Sequence, residues 1–346
     1  SVLAALKHAS DPAETSPLDR PGFRLRHVGG CAHVIEHTRL LPRERHHPMP
    51  YAVNSRLFDT ALVNYVNTCA GSLGISSPVL WFTGPLGLHL TGSFHERLVV
   101  YDAVDDWAAH PAFGDMEPVI EEGYREVRSR ADLVFAVSPE LVNRFEGGHP
   151  AVLLAPNGAD AERFGSSHPL PVDMQLLPRP IVGYVGALHR RFDTKTLSEV
   201  ARRMPDVSFA LVGRGDDSIA SALRPPNIHL LGFRPASEVP AYVSNFDACI
   251  IPHVESSLTR SMDPMKVYEF LAAEKPIVAS DVSSLQRFDG LLRLAGDAES
   301  FCGALHEVLS GAWKPNRIAL RRFVEENTWQ ARVDAMLDAI ELRMAG

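Results

Sequence analysis

Short apolar runs alternate with amphipathic stretches along most of this chain. Runs at 78–82, 97–101, 133–137 and 151–154 each stop at a turn or cap residue, as strands of a sheet covered on both faces do. Between them, 117–130 carries its glutamates early and its arginines late, which suits a helix dipole. Ser138-Pro139-Glu140 reads as a cap followed by proline at the first helical position. After 180 the alternation restarts: strands are predicted at 181–185, 208–212, 228–231, 248–251 and 276–279, with helices at 194–203, 237–244, 265–273 and 298–309 and a final amphipathic helix at 329–344. Strands and helices at this spacing imply right-handed parallel sheets.

The stretch 165–180 holds Pro169, Pro171, Pro178 and Pro180 and has no helical period, so it reads as a linker. The predicted organisation is α/β: a Rossmann-like domain over 1–164, the linker 165–180, a second Rossmann-like domain over 181–325 and a C-terminal helix over 326–346 that could return to the first domain. The opening residues 1–19 lack the apolar strand, glycine turn and helix with which a doubly wound domain begins. Ligands in such sheets bind beyond the carboxyl ends of the strands, so the loops there decide the function.

Composition narrows the classes. With 346 residues the chain has room for two α/β cores, and 45% hydrophobic against 22% charged residues is a globular balance. A net charge of −8 argues against coating nucleic acid. No apolar run approaches the roughly 20 residues that span a bilayer, and no strongly basic amphipathic helix argues for membrane docking. Cys31, Cys69, Cys249 and Cys302 are scattered without a CxxC pair, which speaks against a zinc site or disulfide framework and fits a cytoplasmic location.

Several loops carry candidate chemistry. Gly186 follows a strand, where close approach to a phosphate needs a residue without a Cβ, and Arg190 and Arg191 follow it. A plain glycine turn with two solvated arginines explains these residues equally well. Gly213 ends the next strand, and the loop through Phe233 and Arg234 could seat a flat base; ordinary connecting turns are the alternative. The segment 263–273, DPMKVYEFLAA, is the most informative. Pro264 starts a helix whose first-turn amides, at Met265 and Val267 among them, are free for a diphosphate. Lys266 is a cation in that first turn, where the dipole disfavours it unless an anion is present. Glu269 lies on the same helical side and could hold both ribose hydroxyls; a surface Lys–Glu pair is the alternative. In the first half, Asp105 stands just past a strand beside Asp106; adjacent carboxylates repel, so one of them could take part in proton transfer. His253 also follows a strand and is placed to line the cleft.

The segments LVVYDAVDDW (98–107), ADLVFAVSPEL (131–141), APNGAD (155–160), IVGYVGALHRRFD (181–193), FALVGRGD (209–216), HLLGFRPASEVPAYVSNFDACIIP (229–252) and PMKVYEFLAAEKPIVAS (264–280) together resemble retaining glycosyltransferases of the GT-B fold, family-4-like (group 1). Residues 1–75 match weakly. The resemblance implies two Rossmann-like domains facing a cleft and transfer of a hexosyl group, with retention, from a UDP, GDP or dTDP sugar to a glycan, a lipid-linked sugar or a small molecule. It implies no metal and no further cofactor, and peripheral membrane association is compatible with it. It places Lys266 on the diphosphate and Asp105 at the reacting sugar, with Arg191 or Arg190 able to supply the charge of the family's missing arginine. Gly186, Arg190, Gly213, Phe233, Arg234, Asp263, Met265, Val267 and Glu269 would line the donor. The family's first paired glutamate falls at Ser261, with Asp263 as the nearest carboxylate, and its usual Arg and Lys fall at Ala187 and Phe192. Those departures keep two alternatives open: a noncatalytic scaffold of the same fold, or a nucleotide-sugar epimerase.

Overall fold

The computed structural model describes residues 18, 20, 23–27, 32–37, 48–149, 151–215 and 217–345. Apart from Leu18, the opening stretch 1–19 lies outside the described residues. The chain divides into two compact units, 1–101 with 123–132, and 102–122 with 133–346.

In the first unit, β1 (Phe23–His27) and β2 (His33–His37) pair antiparallel with Leu25 opposite Ile35. Helix α1 (Pro48–Ser72) buries Tyr65 and Cys69 in a small cluster with Leu25. Strand β3 (Val79–Phe82) pairs in parallel with β4 (Leu98–Ala103). Helix α2 (Glu117–Arg130), whose residues from 123 on belong to this unit, has an acidic first turn and a basic last turn, as its sequence pattern predicts.

The second unit holds β5 (Leu133–Ala136), α3 (Pro139–Glu146), β6 (Val152–Leu154) and α4 (Ala161–Gly165), with β5 and β6 parallel. The Ser138 hydroxyl accepts the Leu141 N–H at 3.3 Å, closing the start of α3. Along 165–180, Met174 is 1% exposed and packs with Phe164 and Tyr242, so the proline-rich stretch is anchored to a core.

The rest of the unit is built on one parallel sheet. Its elements are β7 (Ile181–Val185), α5 (Thr194–Arg203), β8 (Ser208–Val212), α6 (Asp217–Ala222), β9 (Ile228–Gly232), α7 (Val239–Asn245), β10 (Ala248–Ile251), α8 (Ser257–Ser261), α9 (Met265–Ala272), β11 (Ile277–Ser280), α10 (Ser283–Gln286), β12 (Arg293–Ala295) and α11 (Ala298–Leu309). The strand order is β12-β11-β10-β7-β8-β9. The order reverses between β7 and β10, which is where a doubly wound sheet opens a crevice at its carboxyl edge. Strands β8 and β10 are buried along their whole length because helices cover both faces. One face packs Phe246, Val267, Phe270 and Leu271; the other packs Leu197, Val200, Phe301 and Leu305. Side chains set the helix starts: Asp193 accepts the Thr196 N–H at 2.9 Å, and Asp297 and Ser300 form a capping box.

Two further helices close the chain, α12 (Arg317–Glu326) and α13 (Trp329–Ala345). Between them Thr328 bridges Ala159, and the Trp329 N–H donates to Ala159 O at 3.2 Å. No described helix is long and apolar enough to cross a membrane.

Candidate active site

The carboxyl ends of β7, β8 and β10 converge on one set of loops. Gly186, at φ 145°, donates its N–H to Val212 O at 2.9 Å, and Gly213 donates to Gly232 O at 2.9 Å. A Cβ on Gly213 would lie 1.9 Å from Gly186 O, so Gly213 is required by strand-to-strand approach. A Cβ on Gly186 would meet the Tyr184 hydroxyl at 3.1 Å and the Lys266 Nζ at 3.3 Å. Gly186 therefore forms the wall beside the lysine head, and Gly213 holds that wall in place.

The loop after Gly186 is pinned by backbone. Leu188 N–H donates to Arg214 O at 2.8 Å, Asp193 N–H to Pro252 O at 2.8 Å, and Val254 N–H to Arg191 O at 2.9 Å. Phe192 bridges His253 and packs edge-on against Tyr184 at 4.8 Å. These bonds bring His189, Arg191 and His253 together, the first two from the β7 side of the strand-order reversal and the third from the β10 side.

Lys266 enters the same space from the first turn of α9. Pro264 precedes the helix in an extended conformation, and no side chain caps it. The Lys266 ammonium is buried, sits 5.1 Å from the Tyr184 ring centroid and has no hydrogen-bond or ion-pair partner among the described residues. Burial, and then Arg191, push its pKa down to about 7, while Glu269 pulls it up. Burial pushes Glu269 up to about 7, opposed by Lys266 and Arg163. His253 is held well below the ordinary histidine value by burial, then by Lys266, Arg191 and His189. His189 is lowered by burial and by Arg191, Lys266 and His110. Cationic and imidazole groups thus crowd one pocket and suppress one another's charge, which is the electrostatic signature of a site for an anion.

Asp105 joins this field from the loop after β4. Its carboxylate accepts the Asp106 N–H at 2.9 Å. Burial raises its pKa, against the pull of that bond, His110 and Arg191. Asp106 is buried 3.5 Å from the Arg144 guanidinium, so the two neighbouring acids have separate roles.

Four of the expected donor residues are held in bonds or packing of the protein's own. The Asp263 carboxylate accepts Asn157 N–H at 2.6 Å and the Tyr268 hydroxyl at 3.0 and 2.9 Å, and it pairs with Arg287. Both oxygens are used and the side chain is fully buried. Arg234 is committed too, donating to Tyr242 Oη and to Asp173, each at 2.5 Å. Val267 packs wholly in the core, and its N–H donates to Pro264 O at 3.0 Å. Gly213 serves packing, as above. Phe233 is 61% exposed beneath the Arg214 guanidinium at 5.4 Å, a stacked surface open to a flat ring. Arg190 and Met265 are exposed at the same edge of the sheet. Ser261 is buried, donates to Ser257 O and Leu258 O at 3.1 Å, and accepts the Ser138 hydroxyl at 2.5 Å on its carbonyl. Sequence reasoning missed His189, Tyr184 and Arg214; the only signal was their place at strand ends.

Residues 179–311 match the family model for glycosyl transferases group 1. This domain is similar to the group 1 glycosyl transferases. The TuaH protein of Bacillus subtilis, assigned to teichuronic acid biosynthesis as a glycosyltransferase, is 31% identical over 226 residues, covering 60% of this chain and 56% of its own. A GDP-mannose-dependent alpha-(1-6)-phosphatidylinositol monomannoside mannosyltransferase of Mycolicibacterium smegmatis is 29% identical over 191 residues, half of each chain. The chain thus spans about half the length of these curated relatives. Among solved structures, sucrose-phosphate synthase from Thermosynechococcus elongatus superposes with a TM-score of 0.68 at 18% identity, over 99% of this chain and 91% of its own. HepE of Anabaena, solved with UDP and glucose, gives 0.64 at 17%, over 81% of each chain. Likeness at such identity establishes the fold, which is GT-B.

Proposed function

We propose that this protein is a glycosyl transferase that moves a hexosyl group from a nucleoside-diphosphate sugar to an acceptor hydroxyl, with retention and without a metal ion. The observation that carries the proposal is the buried, unpartnered Lys266 ammonium at the start of α9, with Arg191, His189 and His253 around it. A group held at such electrostatic cost needs an anion to restore its charge, and a diphosphate beside an uncapped helix start supplies one. As the glycosidic bond breaks, charge builds on that diphosphate; Lys266, Arg191 and the Met265 and Lys266 amides stabilise it in place of a metal. Glu269, one helical turn on, receives the ribose hydroxyls. Phe233 and Arg214 offer the base a stacking surface. Asp105 faces the reacting sugar from the first-half loop. HepE's complexes with UDP and UDP-glucose support a uridine donor as the first to test.

Thermal-shift screening of UDP, GDP and dTDP tests the class and the base together. Stabilisation by one of them, lost in Lys266→Ala, is expected, followed by transfer from the matching labelled sugar to a glycan, lipid-linked or small-molecule acceptor. No stabilisation by any of the three would refute the proposal.

A further inference from the structure

His253 is enclosed among these groups: its residue is 2% exposed and its Nε2 has no hydrogen-bond partner. Buried polar atoms are almost always satisfied, so an orphan lining a charged pocket points to a missing partner. The position is not accidental. The Phe192–His253 bridge and the Val254 N–H bond to Arg191 O fix the backbone on both sides of the ring. His253 N–H itself donates to Ile251 O at 3.1 Å, so the turn after β10 is closed. Arg191 Nε is a second buried, unpartnered donor in the same loop pair.

Resting on the donor-site proposal above, we infer that His253 is a further diphosphate ligand, donating its Nε2–H to a phosphate oxygen of the donor beside Lys266 and Arg191. The chemistry fixes the direction of the bond. Lys266 and Arg191 make the space electropositive, so its occupant presents oxygen lone pairs, and a bare ring nitrogen would repel them. The tautomer is therefore the one with the proton on Nε2. A neutral ring suits this task because a third full cation in so small a space would repel the other two. It adds a directed bond without adding charge. Nothing in the composition of 252–256, PHVES, marks the histidine as a ligand; only the closing of the two loops does.

The test is calorimetric titration at pH 7.5 with inorganic pyrophosphate and with UDP, on the full chain, for the wild type, His253→Phe, His253→Gln and Lys266→Ala. The expected result is about tenfold weaker pyrophosphate and UDP binding by His253→Phe, the loss of one hydrogen bond to a charged group, and recovery to within about threefold by His253→Gln, which restores a donor. On the wild type, nitrogen NMR of labelled histidine should show one ring, absent from the His253→Gln spectrum, whose protonated Nε2 moves downfield on adding pyrophosphate. This second readout stands even if His253→Phe does not fold. Wild-type affinity in His253→Phe, or a ring that does not respond to pyrophosphate, would overturn the inference. If Lys266→Ala binds both probes like wild type, the donor-site proposal fails instead, so the two failures are distinct.

Discussion

Replacing Lys266 by Met separates what the lysine does for the fold from what it does for a ligand. Lys266 is 8% exposed and its pKa falls from 10.5 to about 7. Each unit is worth about 1.4 kcal/mol, so near neutral pH the folded chain bears a penalty of about 5 kcal/mol against an unfolded chain whose lysine is protonated. The sign follows from proton counts. Between pH 7 and 10.5 the unfolded chain binds more protons, so stability rises with pH across that window; below 7 the penalty is present in full. Methionine fills a similar volume without the charge. Glu269 loses its cationic neighbour in the exchange, and buried ions replaced by apolar groups return about 1–4 kcal/mol in practice. A gain of about 2 kcal/mol corresponds to an increase in Tm of roughly 4–8 °C for units of this size. Scanning calorimetry at pH 6.5 and 8.5, with and without UDP, reads both effects. Lys266→Met should melt higher than wild type in the absence of nucleotide, more so at pH 6.5, and should gain nothing from UDP. A variant that melts lower, or that UDP still stabilises, would refute the idea that the lysine is kept at a cost for an anion.

The remaining expectations test the neighbours. Glu269→Gln should weaken UDP about tenfold while leaving pyrophosphate unchanged, because the side chain is assigned to the ribose; calorimetry with the two probes reads the difference. Gly213→Ala should lose roughly 3 kcal/mol or more in urea denaturation, since its Cβ would fall 1.9 Å from Gly186 O and backbone would have to move. UDP affinity should fall as pH rises from 7 to 9, because binding then requires Lys266 to take up a proton; Lys266→Arg should flatten that profile, as arginine does not deprotonate there.

The sheet of the second unit was legible because strands buried on both faces are written as unbroken apolar runs. The ranges 181–185, 208–212 and 248–251 coincide with β7, β8 and β10. Strand β12 was missed because Arg293 and Leu294 are only partly buried at the sheet edge, and its three residues are too few to show a period. Helix α1 was missed as well: Val53, Val63 and Val66 with Tyr51 and Tyr65 dilute its helical pattern. At the site, Lys266 and Glu269 could be found because their chemistry is local to one helix. Arg234 and Asp263 could not, because their partners are remote: Asp173 lies 61 residues before Arg234, and Asn157 lies 106 before Asp263. A sequence shows that a charge is present, but its partner is decided by the folded neighbourhood.

The bonds around Asn157 bear on how such a protein can be recombined. Asn157 N–H and Nδ2 grip Asp263 at 2.6 Å each, just before α9. Next to it a Cβ on Gly158 would press 2.8 Å from Thr328 C, and Ala159 N–H donates to Asn327 O at 3.0 Å. The proline-rich stretch 165–180 looks like the natural seam for exchanging one half with a relative's. A splice there would leave the lysine-bearing helix without the asparagine that sets its starting point, and the last helix without the turn it closes on. A working chimera has to take 155–160 along with the half that follows the proline-rich stretch.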